Sequence, residues 1–150
     1  MTIAVDFDGT IVENRYPEIG QEVPFATETL KMLIRDRHML ILWTCREGQL
    51  LDDAIQWCRE RGVEFYAINR DYPEETSDNN PHFSRKLKAD LFIDDRNVGG
   101  LPDWGTIYRM VSRGKKWRHL LDEAYAGQVD YGEQYSHHHH SRKRPWYRFW

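Results

Sequence analysis

Apolar positions in this chain alternate between short unbroken runs and stripes at helical spacing. Residues 3–7, Ile3-Ala-Val-Asp-Phe7, read as a short buried strand that passes directly into the turn signature Asp8-Gly9-Thr10. A helix is predicted from Pro24, where a missing N–H costs nothing, with Phe25, Leu30, Leu33 and Ile34 as its stripe. Residues 39–43 form a second continuous run and end on polar Thr44-Cys45-Arg46. Leu50, Leu51, Ala54, Ile55 and Cys58 recur at helical spacing, and Gly62 stands where that helix stops. A third strand is predicted over 63–68, a long polar loop over 69–85, and a fourth strand over 91–93, ending at Asp94-Asp95. Two more helices are predicted, over 102–111 and 115–126, the second with Trp117, Leu120, Leu121 and Tyr125 on one stripe.

Strands alternating with helices predict an α/β fold, a Rossmann-like three-layer sandwich around a mainly parallel sheet. Past Gly127 the periodicity stops, which divides the chain into a folded core at 1–126 and a tail at 127–150. In parallel sheets the carboxyl ends of the strands face one crevice. Three of the four predicted strands end there in polar clusters: Asp6-Phe-Asp8, Thr44-Cys-Arg46 and Asp94-Asp95.

Composition narrows the picture. With 150 residues, 40% of them hydrophobic, the chain has material for one core, and no run nears the ~18 apolar residues of a membrane span. The amino terminus lacks the positive region of a secretory signal. Cys45 and Cys58 make neither a disulfide framework nor a CxxC pair, which points to a reducing, cytoplasmic setting. A net charge of −3 argues against nucleic-acid binding by the chain as a whole. Residues 137–150, however, carry Arg142, Lys143, Arg144 and Arg148 and no acid, leaving −7 for the rest. Aromatic Trp146, Tyr147, Phe149 and Trp150 interleave with these cations, a composition suited to single-stranded nucleic acid, to packing on its own domain, or to a partner subunit. Four histidines, 137–140, precede them.

The strand ends carry the chemistry. Asp6 and Asp8 lie two apart, so on a regular strand they would share a face, and crowded carboxylates call for a cation or a proton between them. Asp94 and Asp95 add hard oxygen ligands of the kind Mg²⁺ takes together with water and phosphate. Such a site suits phosphoryl transfer, with a carboxylate as nucleophile and another as acid and base. Lys86 and Lys88 stand just before the fourth strand as sources of positive charge. Read singly, Asp8-Gly9 is an ordinary turn, Thr44 an ordinary strand end, and the lysines a solvated face.

The set in this order resembles the haloacid dehalogenase superfamily of aspartate-nucleophile phosphotransferases. Val5-Asp6-Phe7-Asp8-Gly9-Thr10 is similar to its first motif, Ile41-Leu42-Trp43-Thr44 to its second, and Leu91-Phe92-Ile93-Asp94-Asp95 to its fourth. The resemblance implies a Mg²⁺-dependent phosphohydrolase in which Asp6 attacks phosphorus and passes through an aspartyl-phosphate. Asp8 would act as acid and then base, and Thr44 would hold a phosphoryl oxygen. Lys86, preferred over Lys88 for its distance ahead of the acidic pair, would steady the charge. The Gly9 and Thr10 backbone would receive phosphate. Asp6, the Asp8 carbonyl and Asp94 would hold Mg²⁺, with Asp95 nearby or bridged through water.

Neither interval between motifs has room for a cap domain, so the resemblance implies the capless class, with an open site for a small or large phosphorylated substrate, or closure by a second copy in a homo-oligomer. Residues 12–23, with Arg15 and Tyr16, and the loop 69–85 are then the expected rims of the site. The other function classes are a phosphate-recognition module without hydrolysis and a nucleic-acid protein acting through its tail.

Overall fold

The computed structural model describes residues 1–76, 78–79 and 86–114. The chain divides into two compact units, Met1–Gly114 and Lys115–Trp150, and the second lies outside the described residues. The expected helix over 115–126 and the basic aromatic tail fall there.

The first unit is an α/β fold with the expected Rossmann-like architecture. Strand β1 (Thr2–Val5) leads to helix α1 (Ala26–Arg35), β2 (Met39–Leu42), α2 (Gly48–Glu60), β3 (Ala67–Ile68), β4 (Leu91–Ile93) and α3 (Trp104–Ser112). The sheet order is β3-β2-β1-β4, and every pairing is parallel. Alternation along each strand sorts the side chains. Ile3, Val5, Leu40, Leu42 and Ile93 join Leu30, Leu33, Ala54, Cys58, Trp104 and Ile107 in one core, so α1, α2 and α3 cover one face. Ala4, Ile41 and Ala67 meet Leu87 on the opposite face, with Trp43, Ala89 and Phe92 packed around them. The chain steps from β1 outward to β2 and β3, then returns to place β4 on the far side of β1. Strand order therefore reverses beside β1, and the ends of β1 and β4 border the crevice this creates.

Three local differences from the sequence expectations have physical causes. Helix α1 begins at Ala26 because Phe25 takes a left-handed backbone (φ 67°) and stands 72% exposed, outside the stripe assigned to it. Glu22 caps the helix from upstream, its Oε1 accepting the Thr27 N–H at 3.0 Å and the Thr27 hydroxyl at 2.6 Å. Strand β3 is only two residues long because the preceding segment closes α2. Gly62 (φ 79°) donates to the Arg59 carbonyl and Val63 to the Cys58 carbonyl, the bond pattern of a Schellman cap. Helix α3 starts after Asp103, whose Oδ1 accepts the Thr106 N–H at 2.9 Å.

Trp104 ties α3 to the turn after β1. Its buried indole Nε1 donates to the Thr10 carbonyl at 3.1 Å. Trp104→Phe leaves that carbonyl buried without its donor and vacates part of the ring volume. Unfolding by urea should show a loss of about 1–3 kcal/mol from the hydrogen bond, before any cavity cost. A variant as stable as the parent would remove this contact from the account.

Candidate functional site

The site begins where β1 stops. Asp6 continues the sheet by one bond, its N–H donating to the Ile93 carbonyl at 3.0 Å, and the chain then turns sharply. Ile11 and Val12 donate to the Phe7 carbonyl at 2.9 and 3.2 Å, and Gly9 donates to the Val12 carbonyl at 2.8 Å. Gly9 sits at φ 87°, and a Cβ there would overlap the Asp95 carboxylate. Both the backbone angle and the lack of space select glycine. Thr10 is fully buried and joins the two sides of the crevice. Its hydroxyl donates to Asp6 Oδ2 at 3.4 Å and accepts the Asp95 N–H at 3.0 Å.

Because the turn starts at Asp6, Asp6 and Asp8 do not share a strand face. Asp6 points to the β4 side, where one carboxylate oxygen from each of Asp6, Asp94 and Asp95 lies within 4.8 Å of the others. Burial, opposed by a hydrogen bond from the Phe7 amide and reinforced by the charges of Asp94, Asp95 and Asp8, pushes the Asp6 carboxyl up to about 6. Asp94 Oδ1 accepts the Arg96 N–H at 2.8 Å. Asp95 Oδ1 is buried with no hydrogen-bond partner. Three converging carboxylates and an orphaned buried oxygen are a donor set that fits a hard divalent cation. Asp95 belongs to this set directly, and the Asp8 side chain stands outside it.

Asp8 instead meets Arg46. The guanidinium donates from Nε to Oδ2 and from Nη2 to Oδ1, both at 2.7 Å, forming a bidentate pair. Arg46 is only 1% exposed. It also donates to the Pro17 and Glu18 carbonyls, each at 2.9 Å, and its Cζ lies 5.2 and 5.4 Å from the Phe7 and Tyr16 ring centroids. The bonds to Asp8 raise the Arg46 guanidinium further above its ordinary value, against the cost of burial. One side chain thus holds the β1 turn, the end of β2 and the rim at 12–23 together.

Thr44 takes its expected place in the cleft and is fixed by a residue that sequence reasoning did not assign. Asn69, just past β3 with φ 52°, accepts the Thr44 N–H at 2.8 Å and donates to the Thr44 carbonyl at 3.0 Å. Thr44 Oγ1 accepts the Arg46 N–H at 3.2 Å, leaving its own hydrogen for another acceptor. An open cleft of about 480 Å³ runs along Asp6, Asp8, Thr44 and Asp94, with Asn14, Tyr16, Trp43 and Arg96 on its walls.

Two expected contributions are corrected. The Gly9 and Thr10 amides are used within the turn, Thr10 donating to the Phe7 carbonyl at 3.3 Å, so they do not face a phosphate. Neither Lys86 nor Lys88 lines the cleft. Lys86 is exposed, with its Nζ 5.3 Å from the Phe92 ring, and the exposed Lys88 donates its backbone N–H to Asp71. The cations lining the cleft, among the described residues, are Arg46 and Arg96.

No protein-family model and no curated protein matches the chain. A solved structure of a conserved protein from Bacteroides thetaiotaomicron is 67% identical and superposes with a TM-score of 0.75. The alignment covers 80% of this chain and 96% of that one. The chain belongs to that protein's family. The chemistry of the site rests on its side chains.

Among those, Arg46 is the group that sequence reasoning left without a role, although it stood in the polar tip after β2. The pair it makes spans 38 residues, a separation that no local pattern reveals. Arg46→Met removes one partner of a buried ion pair and leaves Asp8 and two loop carbonyls undonated. The expected loss is about 3–5 kcal/mol in urea unfolding. A loss below about 1 kcal/mol, the scale of an exposed pair, would contradict this assignment.

Proposed function

We propose that the chain is a Mg²⁺-dependent phosphohydrolase of the haloacid dehalogenase type, with Asp6 as nucleophile. The observation that carries this reading is the convergence of Asp6 with Asp94 and Asp95, beside Thr44, at the reversal of strand order. Asp6, Asp94 and Asp95, with the Asp8 backbone carbonyl, would hold the cation. When bound, it supplies neutralising charge for the phosphoryl oxygens and for three carboxylates that otherwise repel one another.

The side chains divide the remaining work. Thr44, whose hydroxyl hydrogen is not used by Arg46, donates to a phosphoryl oxygen. Arg96 adds positive charge at the cleft wall, where Lys86 was expected to act. The Asp6 carboxylate, restrained by the Thr10 hydroxyl, attacks phosphorus in line as the bond to the leaving oxygen breaks, Asp8 gives that oxygen a proton, and an aspartyl-phosphate is left. Asp8 then accepts a proton from the water that hydrolyses it. The substrate is a phosphorylated compound that reaches an open cleft walled by Tyr16, Trp43 and Asn14. Among the described residues no helix is long and apolar enough to cross a membrane. Two free cysteines, Cys45 and Cys58, support a cytoplasmic place for the reaction.

Phosphate release from para-nitrophenyl phosphate should require Mg²⁺ and fall by at least about 1,000-fold in Asp6→Asn, as loss of a nucleophile does elsewhere. Turnover in that variant within about tenfold of the parent would exclude Asp6 as nucleophile.

A further inference from the structure

We propose that the substrates of this cleft are nucleoside monophosphates, the base lying against Tyr16 and Trp43 while the phosphate meets Asp6 and Thr44. The inference names a substrate class for the phosphohydrolase reading and rests on it.

The argument starts from two aromatic rings on the cleft wall. Tyr16 and Trp43 line the same open cleft of about 480 Å³ as Asp6 and Thr44. That volume lies within the range of about 300–1,000 Å³ usual for small-molecule sites. Tyr16 is 57% exposed, so its ring contributes little to the core. Its exposure does not come from a loose rim. The loop that carries it is closed at its base, where Glu13 donates to the Gln21 carbonyl at 2.8 Å and Val23 to the Ile11 carbonyl at 2.9 Å. The next two carbonyls, of Pro17 and Glu18, are held by the buried Arg46, whose Cζ lies 5.4 Å from the Tyr16 ring centroid. Trp43 is fixed from the sheet. Its N–H donates to the Val5 carbonyl at 2.8 Å, and its half-buried side chain packs against the cluster of Ala4, Ile41 and Ala67. Both rings are ordered before a ligand arrives, which lowers the entropy cost of stacking on them.

The walls suit a flat ring with polar edges. Aromatic side chains stack any nucleobase, because every base has a π-face. Base edges carry ring nitrogens and carbonyl oxygens that accept hydrogen bonds. Asn14 lines the cleft beside the rings, and its Oδ1 accepts the Tyr16 N–H at 3.4 Å. Its Nδ2 hydrogens are then the donors for a base edge. A sugar phosphate without a base would leave both rings in water. The reaction gives nucleoside and inorganic phosphate. The Asp6–phosphorus bond forms as the bond to the nucleoside oxygen breaks, and Asp8 protonates that oxygen. Water then bonds to phosphorus and gives its proton to Asp8, while the Asp6–phosphorus bond breaks with its pair returning to Asp6.

The test compares kcat/KM, with Mg²⁺, for adenosine 5′-monophosphate and ribose 5-phosphate, which differ only by the base. The parent should prefer the nucleotide by about tenfold or more, the scale of one base stacked on an aromatic side chain. Tyr16→Leu should shrink that preference at least about fivefold by raising KM for the nucleotide, because the ring lies away from the reacting bond. Tyr16→Phe, which keeps a ring, should retain it. A purely structural role for Tyr16 would lower both substrates together. Equal use of the two substrates by the parent would overturn the inference, as would a full preference in folded Tyr16→Leu. The parent ratio decides alone if that variant does not fold. Absence of turnover with both substrates and with para-nitrophenyl phosphate removes the phosphohydrolase reading together with this inference, whereas turnover without preference for the nucleotide removes this inference only.

Discussion

The bidentate contact between Arg46 and Asp8 is the constraint around which this end of the sheet is organised. A guanidinium buried to this degree must satisfy its donors, and the acceptors it finds come from two separate pieces of chain. Asp8 fixes it to the turn after β1, and the Pro17 and Glu18 carbonyls fix the rim to it. Thr44 receives the Arg46 backbone amide and is held in turn by Asn69 beyond β3. The pair also draws Asp8 away from Asp6, so the carboxylates that sequence places side by side serve two different environments.

On the other side of Asp6 the organising force is repulsion. Asp6, Asp94 and Asp95 are brought together by backbone bonds that do not depend on their charge state. Asp6 is paired to Ile93 through the sheet, and the Asp95 amide is bound by the buried Thr10 hydroxyl. The fold spends its stability elsewhere, in the core beneath α1 and α3 and in the Trp104 indole, to hold like charges close. Burial and neighbouring charge then keep the Asp6 carboxyl at about 6, a perturbation typical of groups placed for chemistry. The same arrangement leaves a buried Asp95 oxygen without a partner, an unmet demand of the kind a cation meets.

Much of this was legible in the sequence because it depends on local pattern. Unbroken apolar runs located the four strands, and the polar residues that end β1, β2 and β4 identified the crevice and the acidic cluster. What was not legible depends on contacts between distant segments. The Arg46–Asp8 pair crosses 38 residues, and Asn69 reaches back 25 to Thr44. Lys86 was assigned through the family resemblance, by its distance ahead of the acidic pair, and the return of the chain along Leu87 and Ala89 beneath the sheet puts its side chain over Phe92. Phe25 was placed in a helical stripe by hydrophobicity, which carries no information about the left-handed backbone preceding α1. The strand expected over 63–68 is shortened to Ala67–Ile68, with Val63 taken up by the cap of α2.

The account's central claim is that carboxylates from β1 and β4 form one divalent-cation site. Calorimetric titration of Mg²⁺ into the protein and into Asp94→Asn tests it without any assumption about substrate. The account predicts binding of one ion per chain in the parent and its loss in the variant, with both proteins folded. Binding of undiminished strength in Asp94→Asn, or no binding in the parent, would contradict it.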